Sequence, residues 1–377
     1  LLKCFQLVMR KLGEGTFGEV VRRREGSQYV AHKRFKVRYI DERMGVAQDT
    51  YRELLVHSAI MYHPNIVAVI RIDTSLRPVL VMRMAAGRLR DHCGKTTCVQ
   101  MRHLIVGITR GLAHMHSRGF CHRDVKPQNI LVFEEDKDVF TAALCDLGSS
   151  RLLIPGRCYT TDDLCTLWYV PPEFCLGAER YTTKCDSWSL GLVVLEMWSG
   201  SAACQGDCRY KQLVEYFALL GTPSDAWTMS LPNYLPEWPK YRGTGINFLT
   251  DPVIQAVARG ALVYDPRFRK SCSELYTACS EESHAGEHLN RPTGSRAAPM
   301  SDVAWRERNV HVDWIMEAAI STKTSQRSVH LGVHLLDRVL AMSTTAHLVT
   351  AAACLWIGSK VEEYPYYDAD EICHRVS

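Results

Sequence analysis

Short runs of β-branched and aromatic residues, separated by turns that contain glycine, occupy the first part of the chain. They predict strands over Phe5–Leu12, Val20–Arg24 and Tyr29–Phe35. Asp49–Met61 then spaces its apolar residues at the helical period, which predicts a helix. We therefore expect a small β-rich unit that contains one helix.

From Met84 onward the apolar spacing is mainly helical. Val99–Ser117, Ser187–Gly200 and Asp207–Leu220 each repeat their apolar residues at the period of a helix. The pattern predicts a larger helical unit behind the β-rich one.

Polar residues dominate the stretch from Ser280 to about Ala304, which contains two prolines, two glycines and few apolar positions. Such a composition is typical of a linker. Beyond it, Val310–Ala319, Val329–Met342 and Ala346–Ile357 have helical patterns. We expect a separate all-helical domain there.

The composition excludes several classes of protein but does not indicate which reaction or ligand the chain serves. Of the 377 residues, 46% are hydrophobic and 23% are charged, which excludes collagen, a coiled coil and a wholly disordered chain. A net charge of +4 is too small to imply a nucleic acid or a membrane surface as partner. The longest apolar run, Leu190–Trp198, is interrupted by Glu196 and is far short of a bilayer span. The 15 cysteines lack C-x-x-C spacing, so we expect reduced thiols rather than disulfides or a zinc site.

Glycines recur at Gly13, Gly15 and Gly18 between the first two predicted strands, in a G-x-G-x-x-G-x-V pattern that ends at Val20. Glycine lets backbone amides approach phosphate oxygens closely, because no Cβ obstructs them. The pattern alone leaves a dinucleotide site and a structural hairpin open. A strand rather than a helix follows, which argues against the dinucleotide site.

Lys33 lies within the apolar strand Tyr29–Phe35, where a buried ammonium group needs a partner. Glu53, near the start of the following helix, is the expected partner. A solvent-facing lysine is the alternative for this segment taken by itself.

Two further motifs make the chain resemble the eukaryotic protein kinases. His122–Asn129 reads H-R-D-V-K-P-Q-N, and Cys145–Gly148 reads C-D-L-G. The resemblance runs from about Phe5 to Ala278 and implies an α+β two-lobed protein kinase fold. The kinase domain over 5–278 would have a small lobe at about 5–82, a hinge at about 83–87 and a large lobe at about 88–278.

By this resemblance the chain transfers the terminal phosphate of ATP, with Mg²⁺ as its metal. Asn129 and Asp146 would hold Mg²⁺, because amide and carboxylate oxygens suit a hard cation. Asp124 would accept the proton of the substrate hydroxyl, and Lys126 would stabilise the moving phosphoryl group. Lys33, fixed by Glu53, would bind the α- and β-phosphates. The full set of expected ATP contacts is Gly13, Glu14, Gly15, Thr16, Phe17, Gly18, Val20, Ala31, Lys33, Glu53, Met82, Met84 and Ala85.

Several stretches resemble the cyclin-dependent kinases in particular. They are His63–Val67, Lys126–Asn129, Thr166–Tyr169, Asp186–Gly191 and Leu220–Pro223. The resemblance implies a Ser/Thr-specific enzyme whose helix Asp49–Met61 binds a cyclin. Val170 replaces the arginine that helps to shape the family's proline-recognising pocket, so proline-directed specificity stays open. Arg269 would pair with Glu173 in a structural role.

Thr161 occupies the position of the family's activating phosphothreonine. Arg52, Arg123 and Arg151 fall at the three positions that bind its phosphate, whose charge and acceptor oxygens suit guanidinium groups. Thr160, one residue away, is the alternative phosphosite, and an ordinary polar loop is the other reading. Thr16 is a further candidate for regulatory phosphorylation.

The C-terminal helical patterns resemble the first three helices of a cyclin box. The matches within residues 305–377 lie at Arg308–Glu317, His330–Leu340 and Ala351–Glu363. The resemblance implies an all-α, partial cyclin-box domain behind a polar linker over 279–304. We expect this box to act in cis on the kinase helix, and a cyclin supplied in trans is the alternative.

Two other functions stay open. One is a cyclin-independent kinase of the same group with a vestigial tail, and the other is a kinase-shaped interaction scaffold without turnover. A gene model that joins two neighbouring genes would give the same sequence. The sequence starts at Leu1 rather than at a methionine, so a targeting segment lost from this end also stays open. We expect an intracellular protein of the nucleus or cytoplasm that binds protein substrates and a cyclin, but no nucleic acid and no membrane.

Overall fold

The computed structural model describes residues 10–14, 18–35, 48–60, 62–73, 79–153 and 166–280. These residues form two lobes, one built on a five-stranded sheet and one composed mainly of helices. The predicted cyclin-box helices, and the predicted linker from residue 281 onward, lie outside the described residues.

The small lobe contains five strands and one helix. Their bounds are β1 Arg10–Glu14, β2 Gly18–Glu25, β3 Gln28–Phe35, α1 Gln48–Ile60, β4 Val69–Asp73 and β5 Val79–Arg83. The strands pair antiparallel in the order β1-β2-β3-β5-β4. Ala31 and Leu80 on the two central strands are buried together with Val67 and Met82, so the lobe has a small apolar core of its own.

In the described residues the large lobe contains seven α-helices and five short strands. Their bounds are β6 Gly87–Arg88, α2 Cys98–Ser117, β7 Phe120–Cys121, β8 Ile130–Asp136, β9 Val139–Leu144, β10 Arg151–Leu152, α3 Pro172–Cys175, α4 Lys184–Ser199, α5 Arg209–Leu220, α6 Ala226–Met229, α7 Pro252–Ala261 and α8 Cys272–Ser280. Strands β6, β8 and β9 form one small sheet, and β7 pairs with β10. Strands β6 and β8 border the cleft described below, and the loops that follow β7 and β9 supply Asp124, Lys126, Asn129 and Asp146 to it.

Local sequence accounts for where the two best-capped helices start. Thr97 begins α2 by accepting the Gln100 N–H, while the Gln100 side chain accepts the Thr97 N–H, which is a reciprocal capping box. Asp251 caps α7 by accepting the N–H groups of Val253 and Ile254. Both helices begin at a residue whose side chain satisfies amides that the helix itself leaves unpaired.

Most predicted elements are present, with different ends. The strand predicted at Phe5–Leu12 is β1 at Arg10–Glu14, and residues 1–9 lie outside the described residues. The helix predicted at Ser187–Gly200 begins earlier, at Lys184. Because 13 of the 16 residues of α4 are buried, including polar ones in its first turns, its apolar face does not mark its start. The hairpin of β8 and β9 interrupts the part of the chain that was predicted to be mainly helical.

The C-terminal end of α1 is attached to the large lobe. Leu144 donates its N–H to the Asn65 carbonyl at 2.9 Å, and the Asn65 side chain donates to the Ala142 carbonyl at 2.9 Å. Ile60 is the last residue of α1, and its carbonyl oxygen lies 2.6 Å from Nε2 of His114 on α2. These contacts fix one end of the helix that bears Glu53.

Two expectations from composition can be checked on the described residues. The ten cysteines in this part of the chain are all free, as expected for reduced thiols. No helix in this part is both long enough and apolar enough to cross a membrane.

Candidate active site

A cleft of about 730 Å³ lies between the small-lobe sheet and the large lobe. Every predicted ATP-binding, catalytic and metal-binding residue that the structure describes borders it. These residues are Gly13, Glu14, Gly18, Val20, Ala31, Lys33, Glu53, Met82, Met84, Ala85, Asp124, Lys126, Asn129 and Asp146. Gly15, Thr16 and Phe17 lie outside the described residues.

The roof of the cleft comes from β1, β2 and β3. Gly18 must be a glycine, because a Cβ there would lie 2.2 Å from the backbone carbonyl oxygen of Arg34 on β3. Val20 and Ala31 supply an apolar surface on this side, and Leu131 of β8 lies on the opposite side. A flat, apolar ring system fits between two such surfaces.

Lys33 is buried and makes ion pairs with two carboxylates. Its Nζ lies 2.6 Å from Glu53 Oε2 and 2.8 Å from Asp146 Oδ1. Burial alone would lower the pKa of Lys33, but the nearby Glu53 and Asp146 charges raise it above its ordinary value. Lys33 therefore stays charged, and the predicted pairing with Glu53 is confirmed.

His57 lies one helical turn after Glu53 on α1. Its Nε2 is buried and has no hydrogen-bond partner among the residues that the structure describes. Burial, together with the charge of Lys33, lowers the pKa of His57 to about 4, so its imidazole is neutral near pH 7. The sequence motifs did not single out this residue.

Asp124 is held by donors on three sides. Asn129 Nδ2 donates to its Oδ2 at 2.8 Å, and Lys126 Nζ lies 2.7 Å from the same oxygen. The Thr166 hydroxyl donates to Oδ1 at 3.1 Å and accepts from Lys126 at 2.6 Å. Burial would raise the pKa of Asp124, but the Lys126 charge and these hydrogen bonds lower it. The carboxylate is therefore ionised and fixed in orientation.

Asn129 and Asp146 retain oxygens that could bind a cation. The Asn129 amide donates through Nδ2 to both the backbone and the side chain of Asp124, which leaves Oδ1 without a described partner. Lys33 pairs with Oδ1 of Asp146, and its Oδ2 has no described partner either. Gln128, which also borders the cleft, has its Oε1 buried without a partner in the described part of the chain. Two oxygens of the types that Mg²⁺ prefers are thus available, and the residues fit the metal.

The three arginines predicted to bind a phosphate lie around one short stretch. Arg52 on α1 donates to the Gly148 carbonyl at 3.2 Å, and Arg123 donates to the Ser149 carbonyl at 2.6 Å. Arg151 lies two residues further on, in β10, opposite Cys121 of β7. The structure therefore brings together the helix that bears Glu53, the H-R-D loop and the segment after Asp146. Thr160 and Thr161 lie outside the described residues.

Asp186 is a structural centre that the sequence motifs did not identify as such. Its carboxylate accepts the His122 N–H at 2.7 Å and the Arg123 N–H at 2.8 Å, and it lies 2.8 Å from His116 Nε2. Burial opposes a charged imidazole, yet the pKa of His116 is raised to about 10 by Cys272 and Asp186. Asp186 thus fixes the backbone just before Asp124, including Arg123 at a φ of 66°.

Arg269 and Glu173 form the predicted structural pair. The guanidinium donates to both carboxylate oxygens, at 2.7 and 2.8 Å, and both side chains are buried. The pair joins the segment before α8 to α3, which follows Thr166 and the residues that border the cleft.

Comparison with known proteins agrees with this architecture. A family model described as the protein kinase domain matches residues 7–278, and one described as the N-terminal domain of cyclins matches residues 276–376. The chain is 36% identical over 245 residues to "Cell division control protein 2 homolog 3" of Trypanosoma brucei brucei, a match that covers 62% of this chain and 76% of that protein.

A solved structure also resembles it. It is a chain from the structure of the CAK complex of Chaetomium thermophilum bound to ATP-gamma-S. The two share a TM-score of 0.62 and 26% identity, over 71% of this chain and 88% of that chain.

The chain belongs to the protein kinase family. Within it, the chain is of the cyclin-dependent kinase type and has an N-terminal cyclin domain behind the kinase domain, as the motifs predicted.

Proposed function

We propose that this chain is a Ser/Thr protein kinase that uses ATP and Mg²⁺ and depends on a cyclin. The observation that supports this most is the assembled ion cluster of Lys33, Glu53 and Asp146 beside an oriented, ionised Asp124. A kinase-shaped scaffold has no need of a charged, buried lysine that meets both carboxylates.

The cleft binds ATP with its base against the hinge and its phosphates towards Lys33. The apolar surfaces of Val20, Ala31 and Leu131 enclose the base, and the Lys33 ammonium neutralises phosphate charge. Asn129 and Asp146 would hold Mg²⁺ through their free oxygens, and the ion would supply positive charge for the phosphate oxygens.

Asp124 orients and deprotonates the attacking hydroxyl. The substrate oxygen forms a bond to the terminal phosphorus while the bond between that phosphorus and the leaving ADP oxygen breaks. The hydroxyl proton passes to Asp124, whose lowered pKa keeps it ionised and able to accept. Lys126, 2.7 Å from Asp124, places a positive charge beside the transferred phosphoryl group.

A cyclin regulates this site through α1. Glu53 reaches Lys33 only when α1 is pressed against the sheet, so any partner that holds α1 inward favours the active arrangement. The cyclin domain matched at residues 276–376 supplies a candidate partner in the same chain. Phosphorylation of Thr161 would add an anion for Arg52, Arg123 and Arg151, which already lie around residues 148–151.

The test is phosphate transfer from radiolabelled ATP to peptide libraries whose acceptor is Ser, Thr or Tyr, with the full chain as enzyme. We expect labelling of Ser and Thr peptides that requires Mg²⁺ and is lost in Asp124→Asn. If the labelled peptides mostly have proline after the acceptor, the enzyme is proline-directed although Val170 replaces the family's arginine. Labelling of Tyr peptides alone would contradict Ser/Thr specificity, and no labelling by phosphorylated, cyclin-supplied protein would favour the scaffold.

A further inference from the structure

Two buried cysteine thiols meet where β7 approaches the first turn of α4. Sγ of Cys121 lies 3.0 Å from Sγ of Cys185, although the two residues are 64 positions apart in the chain. Both residues are buried. Cys121 directly precedes His122 of the H-R-D motif, and Cys185 directly precedes Asp186. The two sulfur atoms therefore connect the strand that leads into the catalytic loop with the helix that holds this loop in place.

The distance between the two sulfur atoms suits a covalent bond between them. The thiols form a hydrogen bond in which either sulfur can donate, and the Cys121 thiol also lies 3.2 Å from Asp186 Oδ2. A disulfide has a sulfur–sulfur bond of about 2.05 Å, so the two atoms need to approach each other by only about 1 Å. The fold thus places two thiols side by side in the reduced chain.

A metal ion is the other ligand that these groups could share, because the two thiols and the Asp186 carboxylate lie close together. Zinc sites in proteins use three or four protein ligands. Both oxygens of Asp186 already accept backbone N–H groups, from His122 and Arg123, and Oδ2 also lies 2.8 Å from His116 Nε2. The cluster therefore offers two sulfur atoms and no free carboxylate oxygen, which favours a disulfide over a metal ion.

We propose that Cys121 and Cys185 form a reversible disulfide that lowers kinase activity when the chain is exposed to hydrogen peroxide. One thiolate attacks a peroxide oxygen, the O–O bond breaks, and a sulfenic acid forms while the other oxygen leaves as water. The second sulfur then attacks the sulfenic sulfur, so that the S–S bond forms, the S–O bond breaks and a second water leaves. Two thiols thus lose two protons and two electrons, and one peroxide becomes two waters.

The surroundings of the two thiols make this oxidation slow. Burial raises the pKa of both Cys121 and Cys185, so few thiolates are present near pH 7. Strands β7 and β10 are only two residues long and pair with each other alone in the described sheets. Local opening of so short a ladder can admit a small uncharged peroxide. The pair should therefore respond to sustained exposure rather than to a brief pulse.

The disulfide would affect turnover through the H-R-D loop. Closing the bond withdraws the Cys121 thiol from Asp186 and shifts the backbone that leads into Arg123, whose φ of 66° is stabilised by the Asp186 carboxylate. Asp124 lies three residues after Cys121, and a misplacement of about 1 Å can lower a rate by up to about a hundredfold. Formation of the bond is independent of the proposed function, whereas its effect on turnover rests on it.

The test treats the full chain with hydrogen peroxide, removes the excess and divides the sample. One part is alkylated and digested without reductant, and mass spectrometry identifies any cross-linked peptide that contains Cys121 and Cys185. The other part is assayed for phosphate transfer before and after addition of dithiothreitol. We expect the cross-link to accumulate while kcat falls by about tenfold or more. Dithiothreitol should reverse both changes.

Cys185→Ala removes one sulfur and leaves the contact between Cys121 and Asp186 in place. This variant should turn over like wild type before treatment, form no cross-link and lose little activity in peroxide. Cys93→Ala is the matched control, because Cys93 is also buried but its thiol donates to the Leu89 carbonyl at 3.3 Å. The control variant should be inactivated as wild type is. Cys185→Ser, which is nearly isosteric, repeats the comparison if the alanine variant unfolds.

Three results would overturn the proposal. Absence of the cross-link in the treated wild-type chain would show that the two thiols do not join. Equal inactivation of wild type and Cys185→Ala would place the sensitive residue elsewhere. Zinc bound in equimolar amount to the untreated chain, and lost in Cys185→Ala, would make the pair a metal site. A wild-type chain without kinase activity would instead contradict the proposed function, and the cross-link would still test the bond.

Discussion

Lys33 Nζ lies 2.6 Å from Glu53 Oε2, although the two residues are 20 positions apart and belong to a strand and a helix. Because both groups are buried, the position of α1 decides whether the lysine has this partner. Removing one member of such a pair leaves the other charge poorly compensated.

Glu53→Gln should therefore lower kcat/KM for ATP by at least tenfold, through loss of Lys33 orientation, while the chain stays folded. The measurement is steady-state phosphate transfer at varied ATP concentration, with circular dichroism as the check on folding. Glu25→Gln is the matched control, because Glu25 pairs with Arg71 and contacts His32 in the same lobe but does not border the cleft. Equal losses in both variants would show a general effect on the small lobe.

Activation should depend on Thr161 more than on Thr160. A phosphate on Thr161 would bind Arg52 and Arg123, and so connect α1 to the H-R-D loop. Thr161→Ala should reduce the activity of phosphorylated enzyme strongly, and Thr160→Ala should do little. Mass spectrometry of the active enzyme, combined with rates of both variants, checks the ranking, and the reverse order would move the phosphosite by one residue.

Acid should destabilise the kinase domain through two partly buried histidines whose pKa is lowered in the folded chain. Burial and the Lys33 charge lower the pKa of His57 to about 4, and burial with the His114 and Arg110 charges lowers the pKa of His63 to about 4. The unfolded chain binds protons at these residues below about pH 6.5, before the folded chain does. The free energy of unfolding should thus fall from about pH 6.5 towards about pH 4, as urea titrations across that range would measure.

His57→Leu should remove part of this acid dependence. Its buried Nε2 has no hydrogen-bond partner within the described ranges, so an apolar side chain of similar size should also raise stability near pH 7, by about 1 kcal/mol. Thermal unfolding of both proteins at pH 7 and pH 5 measures the stability gain at pH 7 and the change in stability between the two pH values. An unchanged slope between these pH values in His57→Leu would show that His57 is not a source of the dependence.

The cyclin domain should act within its own chain. The predicted linker from Ser280 to Ala304 has 25 residues, which as a flexible coil has a root-mean-square span of about 28 Å. Such a tether gives an effective concentration in the millimolar range, above that of most free partners. Specific activity should therefore stay constant on dilution and respond little to added cyclin. Loss of activity on dilution, with recovery when a cyclin is supplied, would show that the partner acts in trans.

The parts of the site that the sequence predicted are those in which neighbouring residues form a motif. Asp124, Lys126 and Asn129 lie within one eight-residue stretch, and the structure adds only how they contact each other. The sequence also predicts the pairing of Lys33 with Glu53, because a lysine in an apolar strand needs a counter-charge.

Residues that act across long separations had no such signal. Asp186 orients the loop before Asp124 from 63 positions away, in a helix that is buried on almost all sides. The Arg88 guanidinium lies where a Cβ on Gly13 would stand, 75 positions away along the chain, and nothing in the residues around Arg88 distinguishes it from Arg90. The predicted start of α4 was wrong because polar residues of its first turn are buried, so the apolar pattern begins after the helix does.

The most direct test of the account is Asp146→Asn, measured for turnover and for ATP binding on the same folded protein. If Asp146 holds Mg²⁺ while Lys33 binds the phosphates, kcat should fall at least a thousandfold, which corresponds to about 4 kcal/mol of lost transition-state stabilisation. Thermal stability should remain close to wild type, and Asp207→Asn, which alters an exposed ion pair with Lys211, should keep full turnover. Near-normal turnover by a folded Asp146→Asn chain would contradict the proposed chemistry.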